Sequence, residues 1–108
     1  MKTTMRNQNR RPTHPGAVLR EDVLPALNMT QARFAQALGV SRLTVSHLLN
    51  EHRAVSPDMA LRLEKALGTS AETWCSMQAA VDLWESRQHA DEFAAIKRLN
   101  DSSYALPA

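Results

Sequence analysis

Residues 30–50 read TQARFAQALGVSRLTVSHLLN, and the spacing within them decides the fold. Thr30 has the character of an N-cap, with a hydroxyl able to accept from a backbone N–H near residue 33. From Gln31 to Leu38, the side chains of Phe34, Ala35 and Leu38 fall at i, i+1 and i+4, one face of a helix. Gly39 ends that helix with the left-handed freedom a tight turn requires. Ser41 is the next N-cap, and a second helix runs to Asn50 with Val45, Leu48 and Leu49 as its buried stripe. Taken together, Gln31, Ala35, Gly39, Val45 and Leu48 have the spacing of a DNA-binding helix-turn-helix. Ala35 is small where the second helix crosses close to the first, and Val45 and Leu48 lock the pair. The same spacing also fits an αα-hairpin that serves packing alone.

The flanks extend the helical pattern. Pro15 suits the first turn of a helix, where its missing N–H is no loss. That helix carries Val18, Leu19 and Val23 on one face, and Leu24-Pro25 predicts its end or a bend. Ser56-Pro57 is a restart, an N-cap followed by proline at the first helical position. Met59, Ala60, Leu63 and Leu67 keep the helical period until Gly68. Thr69-Ser70-Ala71-Glu72 fits a capping box in which Glu72 reaches back to the Thr69 N–H. A helix over 71–86 follows, with Trp74, Met77, Val81 and Trp84 along one stripe. Residues 89–99 offer a weaker helix through Phe93, Ile96 and Leu99. No strand pattern competes. The prediction is an all-α, compact five-helix domain over 14–86, a disordered basic leader over 1–13, and a helical or frayed extension over 87–108.

Composition limits the alternatives. The chain has 108 residues, the length of one domain. Aromatic residues make up only 5% and there are 3 glycines, which argues against a β-sandwich or barrel with many turns. The single cysteine, Cys75, excludes a disulfide framework and any zinc site built on several cysteines. No apolar run approaches the ~18 residues of a membrane span, and the polar, basic start lacks the apolar stretch of a secretory signal. These features predict a cytoplasmic protein without a membrane association. The formal net charge of +2 is unevenly placed. Lys2, Arg6, Arg10 and Arg11 occupy residues 1–14 without an acid, and Glu51 is the lone acid in residues 28–56. Residues 57–108 carry more acids than bases. Basic charge in the amino-terminal half points to nucleic acid, or, over residues 1–10, to a solvated leader.

The outer face of the second helix is more specific. With Val45, Leu48 and Leu49 inward, Leu43, His47 and Asn50 point outward, flanked by Thr44 and Ser46. No acid lies between Gln36 and Asn50. Such a face suits a groove lined with phosphates. In a major groove Leu43 can touch a thymine methyl, and His47 can donate to a base edge or a phosphate. Each also has a plainer reading, as an incidental exposed leucine and a solvated surface histidine. Gln31 and Ser41 stand at helix starts, where side chains and backbone N–H groups meet phosphates, or where they merely cap. Arg42 on the first turn can swing to base or backbone, and Arg53 suits a phosphate contact; a surface salt bridge is the alternative for both.

Residues 14–86 resemble the Xre-type helix-turn-helix antitoxins of the HigA/VapI group. The resemblance rests on His14-Pro15-Gly16, Leu19-Arg20-Glu21, Leu38-Gly39-Val40-Ser41-Arg42, Val45-Ser46-His47-Leu48-Leu49-Asn50, Ser56-Pro57-Asp58-Met59-Ala60 and the segment containing Trp74, Gln78, Asp82, Leu83 and Trp84. Glu51 stands where that group usually has glycine, and Cys75 and Met77 where it commonly has leucine. The resemblance implies a bacterial type II toxin–antitoxin module. Its antitoxin neutralises a RelE-like, HigB-type mRNA endonuclease and represses its own operon by binding a palindromic operator as a dimer. Toxin contact is expected on the basic leader and first helix, because a toxin bound together with DNA must be held away from the recognition helix.

A homodimer has an independent argument. One half-site read by one short helix gives little discrimination, since each good base contact supplies only ~1–3 kcal/mol. Two subunits a DNA turn apart double the readout. The stripe of Trp74, Met77, Val81 and Trp84 is too apolar for water, so it packs on a second subunit or completes the core of one chain. An enzyme is not indicated. His14, His47, His52 and His89 are scattered, no phosphate-binding glycine loop is present, and Cys75 falls on a buried helix position. No metal or cofactor is expected. Two competing functions remain: a free-standing Xre-type repressor without a toxin, and a toxin-binding module that has lost its DNA face.

Overall fold

Side-chain caps set where the helices begin in this computed structural model, which describes residues 10–99. Helix α1 covers residues 15–27, α2 Gln31–Leu38, α3 Arg42–Leu49, α4 Pro57–Leu67 and α5 Ala71–Arg87. The hydroxyls of Thr30, Ser41, Ser56 and Ser70 accept from the N–H groups of Arg33, Thr44, Met59 and Thr73. Each satisfies one of the donors that a helix start leaves orphaned. Among the described residues the fold is all-α, as predicted, and no helix is long and apolar enough to cross a membrane.

Helix ends are equally explicit. Gly39 sits at φ 73°, its N–H bonds the Gln36 carbonyl, and the Val40 N–H bonds the Ala35 carbonyl. Asn28 repeats the arrangement at φ 51°, with Met29 donating to Leu24. Both are paired closures that need a left-handed residue just beyond the helix, a place where glycine and asparagine pay least.

Four expectations need correction. Pro25 does not end α1; the irregularity expected there takes the form of a wider turn ahead of it. A π-helical turn over Leu19–Val23, with the Leu24 N–H donating to the Leu19 carbonyl, joins Pro15–Val18 to Leu24–Leu27. The wider turn adjusts the carbonyls ahead of the proline ring, so the helix continues to Leu27. The α5 cap is Ser70 rather than Thr69, and the Ser70 hydroxyl pairs with that of Thr73 at 2.8 Å instead of a Glu72 side chain reaching back. The weaker helix over 89–99 reduces to a 3₁₀ turn, Ala90–Phe93, because Phe93, Ile96 and Leu99 find nothing to pack on and stay exposed. Of the leader over 1–13, residues 1–9 lie outside the described residues. Arg11 and Pro12 are fixed, one by ion pairs and the other by burial. Of the extension over 87–108, residues 100–108 likewise lie outside.

One core joins all five helices. Leu19 and Leu24 of α1, Phe34, Ala35 and Leu38 of α2, and Val45, Leu48 and Leu49 of α3 meet Met59, Ala60 and Leu63 of α4 and Trp74 of α5. Burying each large apolar side chain contributes roughly 1.5–3 kcal/mol, so α3 is held by its inner stripe and not by its own helix propensity. Polar ties reinforce the frame. Arg62 donates to the Leu38 carbonyl at 2.8 Å, closing the end of α2 from α4. Buried Gln78 accepts from the Val55 N–H at 2.9 Å and donates to Asp82 at 3.0 Å, pinning the loop after α3 to α5.

Candidate nucleic-acid interface

The platform is the α2–turn–α3 unit. Its inner side is Phe34, Ala35, Leu38, Val45, Leu48 and Leu49, all buried. Small Ala35 lets α3 cross, and the turn closes on Gly39 and Val40. Rigid packing on one side therefore leaves the other side of α3 uncovered by its own chain.

The structure places the predicted residues as follows. Arg42, Leu43 and Asn50 are exposed, while Thr44, Ser46 and His47 are half-buried. Leu43 is 64% exposed, a large apolar side chain standing in water on the first turn of the helix. Ser41 caps α3 and its hydroxyl lies 2.9 Å from that of Thr44. Arg53 returns from the following loop, and its Nη1 donates to the Thr44 hydroxyl at 3.4 Å. Ser41, Thr44 and Arg53 thus form one hydroxyl–guanidinium group at the amino end of α3, beside Arg42 and Leu43. At the other end, Asn50 donates to Ser46 at 3.5 Å, and the His47 ring lies 6.5 Å from that of His52. His47 is therefore a flanking group rather than a fully outward one. Gln31 is half-buried at the start of α2, apart from the α3 cluster in sequence but on the same two-helix unit.

Charge follows the geometry. Among the described residues Arg33 and Arg42 make no ion pair. Glu51 is the first acid after α3, and it is occupied. Its Oε1 accepts from Arg11 at 3.0 Å and its Oε2 from Arg20 at 3.2 Å. These hydrogen bonds, that to Arg11 foremost, hold the Glu51 carboxyl below the usual carboxylate range, against the effect of its partial burial. Arg20 also donates to the Leu49 carbonyl, which ties the carboxyl end of α3 to α1.

Sequence reasoning did not foresee these supports. Nothing in the local pattern pairs Arg11 or Arg20 with a residue 30 or more positions on. In the sequence His14 enters only through the resemblance and as one of four scattered histidines. In the structure it is buried and caps α1, with Nδ1 accepting from the Gly16 N–H at 2.9 Å. Gly16 in turn lies against α3, where an added Cβ would collide with the Leu48 carbonyl oxygen. The stripe on α5 divides. Trp74 and Val81 are 2% and 1% exposed within one chain, and so belong to its core. Met77 and Trp84 are half-buried, and Leu83, outside the stripe, is 53% exposed.

This architecture has close counterparts. Residues 19–74 match the Helix-turn-helix family. Antitoxin HigA-1 of Vibrio cholerae is 40% identical over 83% of this chain and 85% of its own length. Antitoxin GraA, solved in complex with its operator, is 41% identical, with a TM-score of 0.77 over 94% of this chain and 99% of its own. Pseudomonas aeruginosa antitoxin HigA, solved with the higBA promoter, is 35% identical, with a TM-score of 0.76 over 83% of this chain and 100% of its own. The helix-turn-helix geometry, the caps that build it and these matches together make the chain a member of the Xre-type helix-turn-helix family that includes the HigA antitoxins.

Proposed function

We propose that the chain is a HigA-type antitoxin that binds operator DNA through α3 and represses its own operon. The carrying observation is the uncovered, acid-free outer face of α3, with Arg42, Leu43 and Asn50 exposed on a buried platform. Arg42 reads a base edge or clamps a phosphate, Leu43 meets a thymine methyl, and Asn50 and His47 add polar contacts. Ser41, Thr44, Arg53 and Gln31 hold the backbone and fix the register. Relatives solved with operator and promoter DNA support this assignment.

The reading includes a homodimer whose two α3 helices enter successive major grooves about 34 Å apart, doubling the readout. Trp74 and Val81 serve the single chain, so the dimer face lies around Met77, Leu83 and Trp84. It also includes capture of a RelE-like, HigB-type toxin by the leader and α1 rather than by the outer face of α3. Relatives named as antitoxins support an antitoxin role.

The test is co-expression with the adjacent reading frame, co-purification, and a gel shift on DNA from upstream of the gene pair. A stable complex with a small basic protein, and a sequence-selective shift, are the expected results. A selective shift without a co-purifying partner leaves a free-standing repressor. Capture without a shift leaves a toxin-binding module alone.

A further inference from the structure

We infer that Glu51 tunes DNA binding by holding Arg11 and Arg20 in internal ion pairs at the end of α3, withholding both cations from the phosphate backbone. The inference rests on the DNA-binding reading above and assigns within it a role to a residue that faces no base.

Three observations carry it. Glu51 is the lone acid in residues 28–56, and it follows Asn50 directly, two positions before Arg53. A polyanion meeting α3 therefore meets this carboxylate next to the residues that bind it. Second, Glu51 holds a backbone φ of 63°, the left-handed region that glycine occupies freely and a glutamate does not. The side chain stands at a strained position, and each of its two carboxylate oxygens is engaged by a guanidinium group, at 3.0 Å and 3.2 Å. Third, neither arginine is sunk in the core. Both side chains are 38% accessible, so each has room to turn outward once its partner is gone. Their restraints differ. Arg20 keeps its bond to the Leu49 carbonyl and its ion pair with Glu21 at 3.1 Å without Glu51, and Arg11 keeps only the ion pair with Glu85 at 3.0 Å. Arg11 is therefore the cation that Glu51 chiefly restrains.

Attraction to the phosphate backbone is insensitive to sequence and strongly dependent on salt, because each neutralised phosphate releases counterions. A guanidinium freed at the margin of the interface adds its full share to non-specific binding. It adds less to a specific complex, where base contacts already fix the register. Glu51 thus suppresses indiscriminate binding more than operator binding.

The experiment compares wild type, Glu51→Gln and Glu51→Gly by fluorescence anisotropy. The probes are a duplex from upstream of the gene and a scrambled duplex, from about 50 to about 200 mM salt. Glycine fits the left-handed backbone, so the second variant keeps the fold even if glutamine strains it, and circular dichroism melting checks both. Both variants should bind the scrambled duplex several-fold more tightly at the lowest salt, with a slope of log K against log salt steeper by roughly 0.9 per phosphate gained. Adding Arg11→Ala to Glu51→Gln should return the slope toward wild type. Slopes indistinguishable from wild type in both variants overturn the inference while leaving DNA recognition intact. A wild type that does not prefer the upstream duplex overturns the DNA reading itself, and this inference with it.

Discussion

Gly16 of α1 rests on the backbone of α3 at Leu48, with its Cα so close to the Leu48 carbonyl oxygen that no methyl group fits between them. Helices α1 and α3 are thus set against each other by backbone contact. Gly16→Ala forces them apart. Overpacking of this kind costs about 1–3 kcal/mol, and here the atom met is a main-chain oxygen that cannot rotate away. Urea denaturation should show a stability loss in that range, and operator affinity should fall with it as α3 shifts. An unchanged midpoint would mean that the two helices separate at little cost.

Arg42 makes no ion pair among the described residues and lies exposed on the first turn of α3. Arg42→Ala should therefore leave folding and oligomeric state unchanged while weakening operator binding by about 1–3 kcal/mol if it reads a base. If it clamps a phosphate, affinity falls alike on all sequences, and the salt slope flattens by about 0.9. Titration on operator and scrambled duplexes separates the two modes, and equal affinities for variant and wild type remove Arg42 from the interface.

His47→Ala is a narrower change, since the ring is half-buried beside His52. Base preference should relax at one operator position, by about 1 kcal/mol or somewhat more, with little effect on other positions. A panel of single-base operator variants provides the readout; a uniform loss across the panel would show a backbone contact instead.

The five helices and the caps of α2, α3 and α4 were legible in the sequence because the signals are local. Thr30, Ser41 and Ser56 each precede a helical period, and Phe34, Ala35, Leu38, Val45, Leu48 and Leu49 carry that period unbroken. The exposure of Leu43 and Asn50 on α3 followed from the same geometry, while that of His47 did not. What the sequence hid is non-local. Arg20 meets the Leu49 carbonyl and Glu51, Gln78 meets the Val55 N–H, and Arg62 meets the end of α2, each across a gap that only packing closes. Leu24-Pro25 signalled an end or a bend, and the chain resolves it as a π turn over Leu19–Val23 that lets the helix run on to Leu27. Trp74 and Val81 share a helix face with Met77 and Trp84, so periodicity alone could not separate core residues from those left near the surface.

Leu83 is the large apolar residue of α5 that the single chain leaves exposed, next to half-buried Trp84. Leu83→Glu places a charge where the proposed partner subunit packs, without touching the core. Sedimentation velocity at low micromolar concentration should show dissociation to monomer, with the helical spectrum retained. Trp84→Ala should weaken the dimer in the same assay. A Leu83→Glu protein that sediments as a full dimer moves the interface elsewhere on the chain.

His14 gives the fold a pH dependence whose sign is fixed by its cap. The imidazole is 3% exposed, and burial pushes its pKa below the ordinary 6.5; the charge of Arg11 lowers it further and that of Glu51 partly opposes both. Its Nδ1 accepts from the Gly16 N–H, which only the neutral ring can do. Protons therefore bind the unfolded chain more readily than the folded one, so stability is complete above pH 6.5 and declines as pH falls below it toward the folded-state pKa. Glu51, also held below its ordinary value of 4.5, adds its loss only at lower pH. His14→Asn keeps a capping oxygen but does not titrate. Urea midpoints at about pH 7.5 and about pH 5.5 should drop for wild type and stay nearly level for the variant. An equal drop in both proteins would assign the titration to another group, and His14→Ala should lose roughly 1 kcal/mol at the higher pH through the missing cap alone.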